Sequence, residues 1–193
     1  MDALKKETVN AVAKAQFPEM SYDGKLELEE LLVRQEVAKG EILLREGEIS
    51  RDLILVGKGM LRQFYHKHGK DVTEHFSYEG CVLMCLESML KQEPTRLMVE
   101  ALEDSVIYRL SYNKLMTLCE LSTEINRFYR KVLEFSLITS QVKADAWRFE
   151  NANERYLRLF KEHPEVIKRA PLSDIASYLL MTPETLSRVR AGM

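Results

Sequence analysis

The sequence contains no run of roughly 18 uncharged apolar residues, the length a membrane-crossing helix needs. Its opening, MDALKKETVN, lacks the apolar core of a secretory signal. A cytoplasmic protein with no membrane partner is the expectation. Cysteine is scarce: Cys81, Cys85 and Cys119 are an odd number without CxxC spacing. One chain therefore cannot assemble a disulfide framework, a four-thiolate metal centre or an iron–sulfur cluster. The three thiols read as reduced, small, partly buried side chains. Neither sign of charge dominates, with 28 Lys and Arg against 30 Asp and Glu for a net charge of −2. Nothing global draws the chain to nucleic acid or anionic lipid. The total hides an asymmetry, because residues 151–193 hold seven basic against five acidic side chains and residues 1–150 hold 21 against 25. Nucleophile elbow, P-loop and dinucleotide glycine patterns are all missing, so no catalytic residue can be assigned and an enzyme is not expected.

What the 193 residues do have is enough apolar content, 46%, to bury a sizeable core. Glycine is confined: six of eight lie between residues 40 and 80, and none from Cys81 through Ala191. The glycine-rich stretch divides into EILLREGE, DLILVGKG, MLRQFYHKHGKD and VTEHFSYEG, each ending in a turn signal, and RLMVEALEDSVIYRLS adds two strands joined at Glu103-Asp104. Short, evenly spaced strands predict an antiparallel barrel or jelly roll that ends near Leu110. Beyond Ser111 the apolar period changes from two to about 3.6, predicting a short helix over 112–119 and a long one from about Ser122 to Phe149. In the latter, Phe128, Val132, Phe135, Thr139, Val142, Ala146 and Phe149 recur in steps of four and three. That stripe predicts a partner helix and hence a homodimer, since about 28 residues span about 40 Å and overshoot a small barrel. Packing of the stripe on its own sheet is the alternative.

Three of five prolines, at 164, 171 and 183, punctuate the last forty residues. They mark off three helices: one ending before Pro164, one carrying Leu172, Ile175, Ala176 and Leu179 on a single face, and one capped by Thr182 with Pro183 at its first position. Only Leu180-Met181 separates the last two, which predicts a helix-turn-helix. In the final helix Leu186 and Val189 point inward and Glu184, Thr185, Ser187, Arg188 and Ala191 outward. Arginine forks onto guanine, glutamate accepts from cytosine and hydroxyls reach phosphate, so this face suits DNA; a solvated face on a helical bundle is the plain alternative.

With these parts in view, the chain from about residue 20 resembles the cyclic-AMP receptor protein/Fnr family of bacterial transcription regulators. The likeness rests most on SDIASYLLMTPETLSRVR and next on EGCVLMCLESMLKQEPTRLMVEALEDS. It implies an α+β fold: a jelly-roll effector domain with flanking helices over 1–121, a dimerisation helix over 122–150, and a helix-turn-helix DNA-binding domain over 151–193 without a full wing. It further implies a homodimer on an inverted-repeat DNA site, RNA polymerase as partner, and Ser173, Thr182, Glu184, Thr185, Ser187, Arg188 and Arg190 as DNA-contacting residues. At the positions that would hold cyclic AMP stand Met84, Cys85, Thr95 and Arg96, which removes a close backbone approach, a ribose acceptor and the phosphate's charged partner. Thr139 and Ser140 match the family's adenine-contacting hydroxyls, while Glu87 and Ser88 would line an altered pocket. Cyclic AMP is thus not the expected ligand, and an unknown small-molecule effector, or none, is. A haem reading finds no axial pair among the four histidines.

Two rival readings stay open. His66, His68, Glu74, His75 and Gly80 resemble a cupin metal-binding enzyme's motif, although its spacing is off and HKHGKD reads as a hairpin turn. A dimeric scaffold that no longer binds DNA is the other.

Overall fold

The computed structural model describes residues 2–192. Helices α1 (Ala3–Gln16) and α2 (Tyr22–Leu31) precede eight strands: β1 (Leu32–Val37), β2 (Ile42–Leu44), β3 (Asp52–Lys58), β4 (Leu61–Lys67), β5 (Lys70–Ser77), β6 (Val82–Leu83), β7 (Met98–Ala101) and β8 (Ser105–Ser111). A short α3 (Leu86–Lys91) interrupts them. Then come α4 (Tyr112–Leu121), the long α5 (Thr123–Phe149), α6 (Ala152–Glu162), α7 (Pro164–Arg169), α8 (Leu172–Tyr178) and α9 (Pro183–Ala191). The strands form two antiparallel four-stranded sheets, ordered β1-β8-β3-β6 and β2-β7-β4-β5. The protein has an α+β fold built on a jelly roll, as the strand spacing predicts.

The central strand β3 shows how the sheets are filled. Its Leu53 and Leu55 join Val9 and Val12 of α1, Leu28 of α2, Leu115 of α4 and Phe128 and Val132 of α5 in one core. The alternate residues Ile54 and Val56 meet Leu61, Leu83, Val99 and Ile107 between the two sheets. Successive side chains on a strand point to opposite faces, so a strand covered on both sides reads as the unbroken apolar run LILV. The turn into β4 needs Gly59, whose φ is +100° and where a Cβ would fall 2.1 Å from Ser105 Oγ. The β4–β5 hairpin closes on a two-residue loop, His68 (φ 50°) and Gly69 (φ 71°), between the register partners Lys67 and Lys70. Two consecutive positive φ values are the signature of a type I′ turn, whose twist matches that of the strands.

The long helix begins where the sequence places it, capped by Ser122 Oγ, which accepts from the Ile125 amide at 3.4 Å. Its apolar stripe divides, which corrects the expectation of one continuous dimer seam. Phe128 and Val132 are 1% and 2% exposed in their own jelly roll's core, and Ala146 is buried within the same chain. Phe135, Ile138, Val142 and Phe149 stay uncovered at 54%, 62%, 45% and 81%. The near end of the helix obeys the sheet beneath it, and only the far end is left for another partner. No helix among the described residues is long and apolar enough to cross a membrane.

Candidate nucleic-acid interface and effector cavity

The last two helices are held by features legible residue by residue. Helix α8 ends in a Schellman motif: the Met181 amide donates to the Ala176 carbonyl at 3.0 Å and the Leu180 amide to Ser177 at 3.1 Å. The left-handed position this motif requires is filled by Leu180 at φ 51°, where glycine is the usual occupant. Helix α9 then starts on Thr182, whose hydroxyl accepts the Thr185 amide at 3.2 Å, with Pro183 at the first position. Leu186 is fully buried with Ile175, Ala176 and Leu179, which fixes which side of α9 faces in. Glu184, Ser187, Arg188 and Arg190 are exposed, Thr185 is half-buried under Arg188 Nη2 at 3.3 Å, and Ser173 is exposed on α8. The side chains that the sequence places outward on α9 are thus at the surface, apart from the half-buried Thr185. Sequence reasoning overlooked α7, a six-residue helix started by Pro164.

This unit is seated on the outer side of the second sheet. Met60, Phe76, Tyr78 and Leu102 of the jelly roll share an apolar core with Tyr156, Leu159, Val166, Ile175 and Leu186. At its margin Arg62 of β4, 5% exposed, reaches three carboxylates: Asp71 at 2.8 Å, Glu100 at 2.7 Å and Asp174 of α8 at 2.6 Å. Its guanidinium also lies 4.0 Å over the Phe64 ring. Burial raises the pKa of both Glu100 and Asp174 against the pull of Arg62. Ser177 of α8 accepts the Thr73 amide at 2.7 Å and donates to the Asp71 carbonyl at 2.9 Å. Lys143 of α5 is buried where the three parts meet, paired with Glu74 of β5 at 2.8 Å and with its ammonium 5.1 Å from the Tyr178 ring centre. Burial lowers its pKa, and Glu74 opposes that shift. Of these junction residues the sequence singled out only Glu74, and that as part of a metal-binding motif. Isolated charges in the middle of strands reveal a partner only when the chain is folded.

A half-open cavity of about 390 Å³ lies between the sheets, walled by Leu43, Leu44, Ile49, Ile54, Leu83 and Val99, with Glu48, Ser50, Arg51, Asp52, Cys85 and Arg109 as its polar groups. Of the expected pocket residues only Cys85 lines it. Met84 packs against the helix-side core, and Glu87 is exposed and paired with Lys91. Arg96 is exposed over the Tyr65 ring, on the outside. Ser88 is buried one layer back, accepting the Ser50 amide and donating to the Glu93 carbonyl. Thr95 is buried with its hydroxyl occupied by the Leu97 amide, in a backbone strap to Gly47 and Glu48. Thr139 is half-buried and Ser140 exposed on α5, and neither reaches the cavity. The sequence missed Arg109 because all of its side-chain bonds are made across strands: to Gln35 at 2.6 Å, to Asp52 at 3.1 Å and to the Leu43 carbonyl at 3.5 Å. Cys85 takes the Gln63 amide at 2.9 Å, and burial pushes its thiol up to about 11, so it stays protonated and unreactive.

The histidines of the cupin-like reading do not converge. His66 pairs with Asp71 at 2.8 Å, His68 sits in the hairpin turn, and Glu74 is taken by Lys143. Among the described residues no three His, Cys, Asp or Glu side chains come together in a way that could hold a metal ion.

Comparison with known proteins agrees with this architecture. Residues 34–122 match the family model of the cyclic nucleotide-binding domain. No curated protein matches the chain. Among solved structures, FixK2 from Bradyrhizobium japonicum is 20% identical with a TM-score of 0.72, over 83% of each chain. The catabolite activator protein of Thermus thermophilus is 19% identical with a TM-score of 0.57, over 94% of this chain and 85% of its own. A regulator of the Crp/Fnr family from Eubacterium rectale is 15% identical with a TM-score of 0.67, over 91% and 84%. At such identities the likeness is one of fold, and the fold is that of Crp/Fnr regulators.

Proposed function

We propose that this chain, with its cyclic-nucleotide-binding-type domain and Crp/Fnr fold, is a sequence-specific DNA-binding transcription regulator. It works as a homodimer joined through the far half of α5 and acts with RNA polymerase. The observation that carries the reading is the α8–α9 pair: a tight turn, a capped final helix, and an outward face of Glu184, Ser187, Arg188 and Arg190 on a helix anchored by Leu186. Two such helices related by a dimer axis meet successive major grooves about 34 Å apart, so the site is an inverted repeat.

The cavity does not suit a cyclic nucleotide. A cyclic phosphate needs an unengaged cation held inside the cavity, but Arg109 is committed to Asp52 and Gln35, Arg96 lies outside, Arg51 is exposed to solvent, and Glu48 and Asp52 bring negative charge. A small, partly apolar effector fits its walls better. Calorimetry with cyclic AMP tests this, and a micromolar dissociation constant would refute it.

Selection of duplexes from genomic fragments by the purified protein tests the DNA reading. Enrichment of an inverted repeat is expected, with Arg188→Ala losing about 1–3 kcal/mol and relaxing one base position per half-site, whereas Arg190→Ala mainly alters salt dependence. If no repeat is enriched, the scaffold reading replaces it.

A further inference from the structure

The tip of the β4–β5 hairpin concentrates basic side chains, and its two lysines form no ion pair among the described residues. Lys67, His68, Gly69 and Lys70 are all exposed. Lys67 and Lys70 are register partners, so two ammonium groups face each other across the last rung of the hairpin. Like charges directly opposite on neighbouring strands are destabilising. Among the described residues no carboxylate lies within 4.0 Å of either lysine, and the adjacent Asp71 is already engaged by Arg62 and His66. The chain as a whole is acidic by two charges, so this local excess is not a background property.

The position of the tip says what it meets. Strand β5 is fixed to α8 by both bonds of Ser177, to the Asp71 carbonyl and the Thr73 amide, one and three residues from Lys70. Ser177 is itself five residues before Thr182, the cap of α9. The hairpin therefore emerges beside the N-terminal end of the helix that carries the outward face. Consistent with this, Glu184 has a carboxyl held below its ordinary pKa first by Thr182 and, at longer range, by Arg188 and Lys70.

We propose that the hairpin tip is a second DNA-binding element, in which Lys67 and Lys70, with His68 between them, engage the sugar-phosphate backbone flanking the groove that α9 enters. The inference rests on the DNA-binding reading above and adds a surface from the effector domain to it. Phosphates crossing the tip would neutralise the facing ammonium pair, and counterions released from the duplex make that interaction strongly salt-dependent.

The test is Lys67→Thr/Lys70→Thr in the full chain, titrated against a fluorescent random-sequence duplex and a duplex enriched by the parent, across a range of salt. Weaker binding to both is expected, with the ranking of sequences unchanged. The slope of log affinity against log salt should be shallower by about 0.9 for each phosphate the variant no longer neutralises. The melting temperature should hold or rise, because the like-charge rung is gone. Equal affinity and slope in parent and variant would overturn the proposal, and so would tighter binding, which would mark the tip as an obstruction. Unchanged DNA binding with impaired polymerase-dependent transcription would assign the tip to the polymerase instead. Failure of the parent itself to bind either duplex would sink the underlying reading, an outcome distinguishable because it leaves no affinity for the variant to lose.

Discussion

Arg62 and Asp174, 112 residues apart in sequence, are joined at 2.6 Å, and this ion pair ties the sheet that walls the cavity to the first helix of the α8–α9 pair. Arg62 is 5% exposed and Asp174 13%. Removing one member of a buried ion pair leaves an uncompensated charge, at a cost of about 3–5 kcal/mol. Here three carboxylates would be left together, so Arg62→Ala should sit at the upper end. Asp174→Asn, which leaves Asp71 and Glu100 on the guanidinium, should cost clearly less. Denaturant titration of both variants checks the order, and equal losses would mean that Asp174 is the dominant partner.

The exposed half of α5 should make the dimer. Phe135→Asp puts a charge into the Phe135, Ile138, Val142 stripe and should yield a folded monomer by light scattering. Phe128→Asp puts the same charge into the chain's own core and should unfold it. A dimeric, fully folded Phe135→Asp protein would show that the stripe is not the interface.

Leu180 holds its backbone in a conformation that costs a non-glycine residue about 1–2 kcal/mol. Its side chain is 48% exposed, so little packing offsets that cost. Leu180→Gly should stabilise the protein by about 1 kcal/mol, after the entropy glycine adds to the unfolded chain. For a chain of this size that corresponds to about 2–4 °C in Tm. A lower Tm would mean that the Leu180 side chain contributes more through packing than the strain removes.

His75 should make the fold acid-sensitive. Burial, helped by the nearby Lys143 charge, pushes its pKa from 6.5 to about 4. Between those values the unfolded chain binds more protons than the folded one. Stability therefore rises with pH through this window and is lost on acidification, by up to about 3 kcal/mol. Tm measured from pH 7 to pH 4 should fall, and His75→Gln should flatten part of that fall. An unchanged slope in the variant would exclude His75 as its source.

The readable parts of the molecule are those governed by neighbours in sequence. Glycine spacing revealed the hairpins, proline and Thr182 revealed α9, and the change of period revealed α5. Local rules could not say which side of α5 faces home, because Phe128 and Phe135 have the same chemistry and differ only in whether a sheet lies beneath them. Strand β1, buried only at its two ends, the two-residue β6 and the N-terminal helices carry too weak a pattern to stand out, since α1 buries only Thr8, Val9, Val12 and Ala13. The cavity's expected lining failed for a related reason. Positions 84, 87, 88, 95 and 96 are close in sequence, but the chain turns through α3 and a strap there, sending neighbouring side chains to different layers.

Strand β5 is the last strand of its sheet, and an open strand margin is a template for pairing with other chains. Ser177 occupies that margin, using one hydroxyl to answer both an amide and a carbonyl of β5. The same seat covers Met60, Phe76 and Tyr78. The C-terminal helices thus sheathe this margin of the jelly roll and the apolar surface beside it. Cutting the chain after α5 would yield an aggregation-prone fragment rather than an independent effector domain.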